Sequence, residues 1–314
     1  MVRRTAAPNS PALEATAGLV PTRLAGSLTG KPREWWIHWI LRIAVAGEFI
    51  GHGAFGTLGK EAWLAYYDIF GISAATGRDL MPLTGSLDIA LGVLVLVYPV
   101  RAALLYMACW GLFTAALRPL AGEGGWELVE RSYNYGVPFA LLLLHGFGTS
   151  LRDWVSPLRD IPRLTKERAR GFALGFRATI AAYLIGHGAL GVLTNKPLLL
   201  DLYASVGLDT LVGDPATLND VVGLFEIGLG LLMLRAATTP VLLFVLSWKL
   251  GTESLFITNG SYGAGFEVIE RAGAYAAPLA LICLNSIESR EKGRVPHRGR
   301  AGSTLPVARI ASPP

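Results

Sequence analysis

The chain has 314 residues, 52% of them hydrophobic and 16% charged, with a formal net charge of +5 and a mean hydropathy of +0.44. A soluble domain carries about 25% charged residues, so this sequence lacks the charge to cover a globular surface in water. No basic patch interleaved with aromatics points to nucleic acid, and the two cysteines form no Cys-x-x-Cys motif that would serve a thiol–disulfide relay.

In chain order, residues 1–34 read as a basic, disordered arm rich in Ala, Pro, Ser and Thr. Apolar blocks follow at about 35–58, 80–98, 100–117 and 131–147, each near the roughly 20 residues that cross a bilayer as a helix. A basic linker occupies 148–170, and four more blocks run over about 171–193, 218–234, 240–257 and 268–285. Residues 286–314 read as a second disordered tail. None of the blocks alternates with period two, so the predicted class is all-α integral membrane, with eight spans. Lys and Arg concentrate in the arm, the linker, the tail and the turns at Arg101 and Arg235, whereas the opposite loops carry Asp201, Asp209, Asp214 and Asp220. The positive-inside rule then places both termini in the cytoplasm of a multi-pass cell-membrane protein whose constant partner is the bilayer.

An internal repeat organises the chain. Gly51-His52-Gly53-Ala54-Phe55-Gly56 returns 135 residues later as Gly186-His187-Gly188-Ala189-Leu190-Gly191. Asp88 and Trp110 return 138 residues later as Glu226 and Trp248. Glu130-Arg131 returns 140 residues later as Glu270-Arg271. The reading is a tandem duplication: residues 35–147 form the first four-helix unit and residues 171–285 the second. An even number of spans per copy implies a pseudo-twofold axis along the membrane normal.

Threading these landmarks through alternating spans gathers them in the outer half of each unit. Ionisable groups inside a bilayer cost free energy and mark functional sites by default, which makes His52, His187, Asp88, Glu226 and Glu48 candidate catalytic groups. Glu48 and His52 are four residues apart on one helix face and are expected to meet as a proton-handling pair. Glu130, Arg131, Glu270, Arg271, Trp110 and Trp248 are candidate binding residues. A structural role stays open beside each: a Glu-Arg start complements a helix dipole, Gly-His-Gly lets helices approach closely, and tryptophans fill cores. Arg42 is expected to reach toward the cytoplasmic interface. The histidine spacings match no zinc motif, and no phosphate-binding or dinucleotide motif is present.

The spacing of Arg42 and His52-Gly53, and the runs Asp88, Gly92, Arg101 and Glu226, Gly230, Arg235, resemble the DoxX-like family of four-helix membrane proteins. Where that family often has Lys-Leu soon after His-Gly, this chain has Gly56-Thr57-Leu58 and Gly191-Val192-Leu193. The resemblance implies a redox association: a quinone as candidate cofactor, membrane redox-complex subunits as candidate partners, and His52, Asp88, His187 and Glu226 around an outward-facing pocket. Two other roles remain, a non-catalytic accessory subunit of a larger membrane complex and a small-solute transporter.

Overall fold

The structure is a computed structural model that describes residues 30–212 and 214–292. Most of the expected disordered arm and tail, residues 1–29 and 293–314, lies outside the described residues. The helices in chain order are α1 (Arg33–Leu58), α2 (Leu64–Asp68, after a 3-10 turn at Glu61–Trp63), α3 (Ala74–Val97), α4 (Arg101–Leu120), α5 (Trp126–Glu130), α6 (Ser132–His145) and α7 (Leu151–Val155). They continue as α8 (Lys166–Val192), α9 (Pro197–Ala204), α10 (Asp209–Val212), α11 (Pro215–Ala236), α12 (Thr239–Thr258), α13 (Ala264–Glu270) and α14 (Ala272–Lys292). Helix α1 therefore begins inside the expected arm, and α14 continues into the expected tail. Among the described residues there is no strand, only an isolated bridge between Val100 and Pro157.

Four helices, α3, α4, α11 and α12, are long and apolar enough to cross a membrane. A fifth candidate is the pair α8 and α9, bent by 91° at its break. Helix α1 falls outside that set because it carries Arg33, Glu34, Arg42 and Glu48, and α6 because it has only 14 residues. The division has a packing reason. Helices α1, α6, α8 and α14 pack on one another as an inner bundle, while α3 leans on α1, α4 on α6, α11 on α8 and α12 on α14. The outer four bury only 28–39% of their apolar windows, so most of that apolar surface faces outward, as lipid contact requires. Of the inner four, α1 carries buried charges, Glu34, Arg42 and Glu48, and the inner helices' apolar residues, such as Leu41, Val137, Leu184 and Leu281, join one core cluster. That core joins helices from 35–147 with helices from 171–285.

Glycines set the helix spacing. A methyl group on Gly53 would overlap the Gly85 carbonyl of α3, and one on Gly188 would overlap the Gly223 carbonyl of α11. The neighbouring glycines work across the halves. A Cβ on Gly51 would lie 2.5 Å from the Glu270 amide, and one on Gly186 would overlap the Glu130 amide. Each long helix thus seats a short acidic helix from the other half of the chain, α13 on α1 and α5 on α8.

At the other end of the bundle, arginines satisfy helix C-termini. Arg42 is buried; its Nε donates to the Val95 carbonyl at 2.9 Å and its Nη2 to Leu96 at 2.8 Å. Those carbonyls end α3 and have no intrahelical donor, so the guanidinium gains more there than in partial solvent. Arg101 does the same for α6 through Gly146 at 2.8 Å and His145 at 3.2 Å.

The glycine seats yield a direct test. Gly186→Ala is expected to destabilise the detergent-solubilised protein by about 1–3 kcal/mol, as overpacking does. Gly228→Ala, whose Cβ would meet nothing within 4 Å, should stay within about 0.5 kcal/mol. Thermal or denaturant unfolding of the two variants side by side measures the difference.

Candidate functional site

The close approach of α1 and α3 at Gly53 and Gly85 brings His52 to Asp88. Their contact is a 2.8 Å hydrogen bond from His52 Nδ1 to Asp88 Oδ2. A carboxylate can only accept, so Nδ1 carries the hydrogen and Nε2 is left as the proton-exchanging nitrogen. Asp88 is buried, and the His52 ring stacks on Trp63 with centroids 4.5 Å apart. The approach of α8 and α11 at Gly188 and Gly223 does the same for His187, whose Nδ1 bonds Glu226. There the carboxylate has a further partner, Trp248 Nε1, at 2.8 Å. Glu48, expected to pair with His52, does not. Histidine takes its carboxylate from the neighbouring helix, and the Glu48 oxygens lie against the backbone of Gly273 on α14.

His52 opens onto a cavity of about 190 Å³ whose walls are mainly aromatic: Trp63, Tyr66, Tyr67, Phe70, Trp110 and Phe113. Trp110 lies parallel to Tyr106, centroids 6.0 Å apart, and its buried Nε1 has no hydrogen-bond partner among the described residues. Beside this chamber is a charged vestibule of about 240 Å³ that includes His187, Lys60, Lys196, Glu130, Glu253 and Glu267. Chamber and vestibule share Trp63, Tyr66, Arg118, Arg131 and Glu270 as a common wall. The structure thus brings His52, Trp110, Arg131 and Glu270 to the chamber and His187, Glu130, Arg131, Glu270 and Arg271 to the vestibule. Asp88, Glu226 and Trp248 line neither space and stand behind the histidines or in the helix packing.

Most of the vestibule's charges are paired, and two of the pairs tie the halves together. Lys60 bonds Glu267 at 2.9 Å, and Lys196 bonds Glu127. Arg131 bonds Glu127 at 2.5 Å and also Glu130. Arg271 bonds Glu253 at 2.7 Å and Glu267 at 2.5 Å, and Glu253 also holds Lys249 at 2.5 Å. At the chamber rim, Tyr66 donates to Glu123 and Arg118 bonds it at 3.0 Å. Burial alone would raise Glu123, but Tyr66 and Arg118 outweigh it and hold the carboxyl below its ordinary range. Burial would likewise raise Glu267; Arg271 and Lys60 overcome it and hold the group at about 2.

No family model, curated protein or solved structure matches the chain. The site's chemistry is therefore read from its own geometry.

That geometry differs between the halves. Positions Gly111 and Ala115 of α4 correspond, at the 138-residue offset, to Lys249 and Glu253 of α12. Both of the latter are buried and ion-paired. Phe225 closes onto Trp248 with ring centroids 4.8 Å apart, whereas the matching residue before Asp88 is Leu87, which is exposed. The first half holds a chamber at its histidine, and the second holds salt bridges and an aromatic plug. Sequence reasoning passed over Lys60, Lys196, Arg118, Asn134 and the chamber's aromatics. Trp63, Tyr66, Tyr67 and Phe70 nevertheless recur at i, i+3, i+4 and i+7, a helical stripe that signals a face turned toward a partner or a ligand. Among the described residues, no three His, Cys, Asp or Glu side chains converge as a metal would require.

Arg271→Gln would leave Glu253 to Lys249 alone and Glu267 to Lys60 alone, and weakening such a buried network is expected to cost up to about 3 kcal/mol. Because Glu267 is held below the 4.5 of a free glutamate, the stability it supplies is complete above about pH 4.5 and fades as pH falls toward about 2. Unfolding measured across that window should show this acid loss in the parent and a smaller one in Arg271→Gln.

Proposed function

We propose that the chain is an eight-span membrane protein of DoxX-like type, in which the His52 chamber binds the flat head group of a quinone and the His52–Asp88 pair exchanges its protons. In this reading the protein sits in the cell membrane with both termini cytoplasmic, and its two four-helix halves are related by a pseudo-twofold axis along the membrane normal. The recurrence of the same glycine seats at Gly51 and Gly186, and of the same His–carboxylate bond at His52 and His187, supports the duplication.

The observation that carries the functional reading is an imidazole, backed by a buried carboxylate, in the wall of an aromatic chamber. Flat aromatic walls favour a flat ring by stacking. The residues present fit such a group: Trp63 and Trp110 as ring faces, Trp110 Nε1 as a buried donor without a protein partner, and His52 Nε2 as the titrating atom. A bound quinone would supply two-electron, two-proton redox chemistry, for which the side chains alone provide no carrier. Asp88 fixes the tautomer and orientation of His52 and stabilises its protonated form. Arg131 and Glu270 close the chamber toward the vestibule and so govern which polar species reach the ring. The second half supports the first, with Lys249 and Glu253 where the corresponding cavity would lie.

The transporter reading draws on the bend between α8 and α9. Helix α8 alone has 27 residues, or about 40 Å of helix, enough to cross before the bend begins. The break follows His187 at a helix end and does not interrupt a span at mid-depth, where alternating-access sites are built. An accessory role would leave the chamber without a ligand.

Two measurements test this. Titration of the purified protein with a short-chain quinone should quench tryptophan fluorescence. His52→Leu should weaken that binding roughly tenfold or more, the scale of one charge-assisted hydrogen bond, while His187→Leu leaves it unchanged. Equal effects of the two variants, or no binding at all, would remove the chamber assignment. For topology, Gly122→Cys and Arg159→Cys, each in a Cys109→Ser/Cys283→Ser background, should react with an impermeant thiol reagent only from the outer and only from the cytoplasmic side respectively.

A further inference from the structure

Beneath His52 lies a second, much smaller space of about 20 Å³, lined by Glu48, His52, Trp110, Thr114 and Asn134 together with Phe49 and Gly111. It has room for about one water molecule, which needs roughly 10–15 Å³ and two to four polar partners. Several of its polar atoms lack a side-chain partner. The Glu48 oxygens have no side-chain partner, only the Gly273 backbone amide beside them, Asn134 Oδ1 has no partner among the described residues, and all three atoms are buried. Glu48 is 3% exposed, with no cation paired to it among the described residues and the Glu270 carboxylate as its charged neighbour. Around Gly273, on the far side, stands the Tyr133 side chain, and Tyr183 donates its hydroxyl away to the Ala274 carbonyl at 3.2 Å. An ionised carboxylate so placed would be a buried charge with a single backbone amide and no cation to balance it. A carboxylic acid placed there can instead donate its hydrogen into the cavity.

We propose that Glu48 is an internal proton donor to His52, connected to it by a single water held in this cavity. The proposal rests on the reading of His52 as the chamber's proton-exchanging group and deepens it by naming where its proton comes from. In the step, the Glu48 O–H bond breaks as the water takes its proton, and the water releases one of its own to the imidazole. The products are a Glu48 carboxylate and an imidazolium held by Asp88; no electrons move, and the reverse transfer restores the acid when the chamber gives up a proton. The helix geometry explains why the link must run through water. Glu48 and His52 share one face of α1, yet the His52 ring is pulled to α3 by Asp88 and Glu48 is drawn toward α14 at Gly273. The gap left between them is the cavity. A buried relay of this kind delivers a proton to the chamber without admitting bulk water to it.

Infrared spectroscopy of the full-length protein in lipid nanodiscs, with no ligand added, tests this directly. The expected result is a protonated-carboxyl C=O band at neutral pH that shifts in D2O and disappears in Glu48→Gln. Glu48→Asp, which keeps the acid group, should move the band without abolishing it, so a folding defect in one variant does not obscure the outcome. Asn134→Leu, which fills the cavity and removes a water partner, should slow hydrogen–deuterium exchange of the band roughly a hundredfold, the lower end of what a positioned proton-transfer group contributes. Absence of any band assignable to Glu48, or exchange untouched by Asn134→Leu, would overturn the proposal. Because the assay contains no quinone, that failure would leave the chamber assignment standing, and failed quinone binding with the band intact would remove the chamber assignment alone.

Discussion

Everything in this molecule depends on two backbone contacts that only glycine permits. At Gly51 and Gly186 the long helices α1 and α8 touch the main chain of α13 and α5, so each short acidic helix is seated on a helix from the other half of the chain. The consequence is electrostatic. Glu127 and Glu267 arrive beside cations of the opposite half, Lys196 and Lys60 respectively. A bilayer makes unpaired charges expensive, so the crossed pairing is what allows this many buried charged groups where the two halves meet. Two residues on, Gly53 and Gly188 make a second close approach, and it sets His52 on Asp88 and His187 on Glu226.

The same frame, used twice, serves two ends. In the second half, Lys249 and Glu253 extend the salt-bridge chain inward, and Trp248 is bound to Glu226. In the first, glycine and alanine stand at the corresponding positions, Trp110 Nε1 keeps no protein partner, and the aromatic segment before α3 walls off a cavity. Charge-filled packing holds one half rigid so that the other can keep a space. Buried ion pairs contribute little net stability over an apolar core, which makes the specificity of assembly, and not added stability, the physical reason to retain so many.

Much of this was legible in the sequence, and what was not has identifiable causes. Composition and block length gave the helical membrane class, and the repeat picked out His52, Asp88, His187 and Glu226. Periodicity could not supply partners. The rule that residues four apart meet on a helix paired Glu48 with His52, but where glycines bring helices this close the stronger partner stands on the next helix, and Asp88 takes the ring. Arg42 was expected to reach outward because long cationic side chains often do; its acceptors, the carbonyls ending α3, stand on another helix that periodicity does not bring to it. Block length alone also set α1, α6, α8 and α14 beside the outer helices as equals, although the inner four pack on one another and the outer four turn most of their apolar surface outward. The chamber's wall lay in a segment between two apolar blocks, where Trp63, Tyr66, Tyr67 and Phe70 showed helical spacing that a search for spans does not weigh.

The most direct measurement of the central claim is a cryo-electron microscopy map of the protein in lipid nanodiscs with a saturating short-chain quinone. The account predicts ring density between Trp63 and Trp110 within hydrogen-bonding reach of His52, with none beside His187. Density at His187, or an unchanged chamber at saturating quinone, would contradict it.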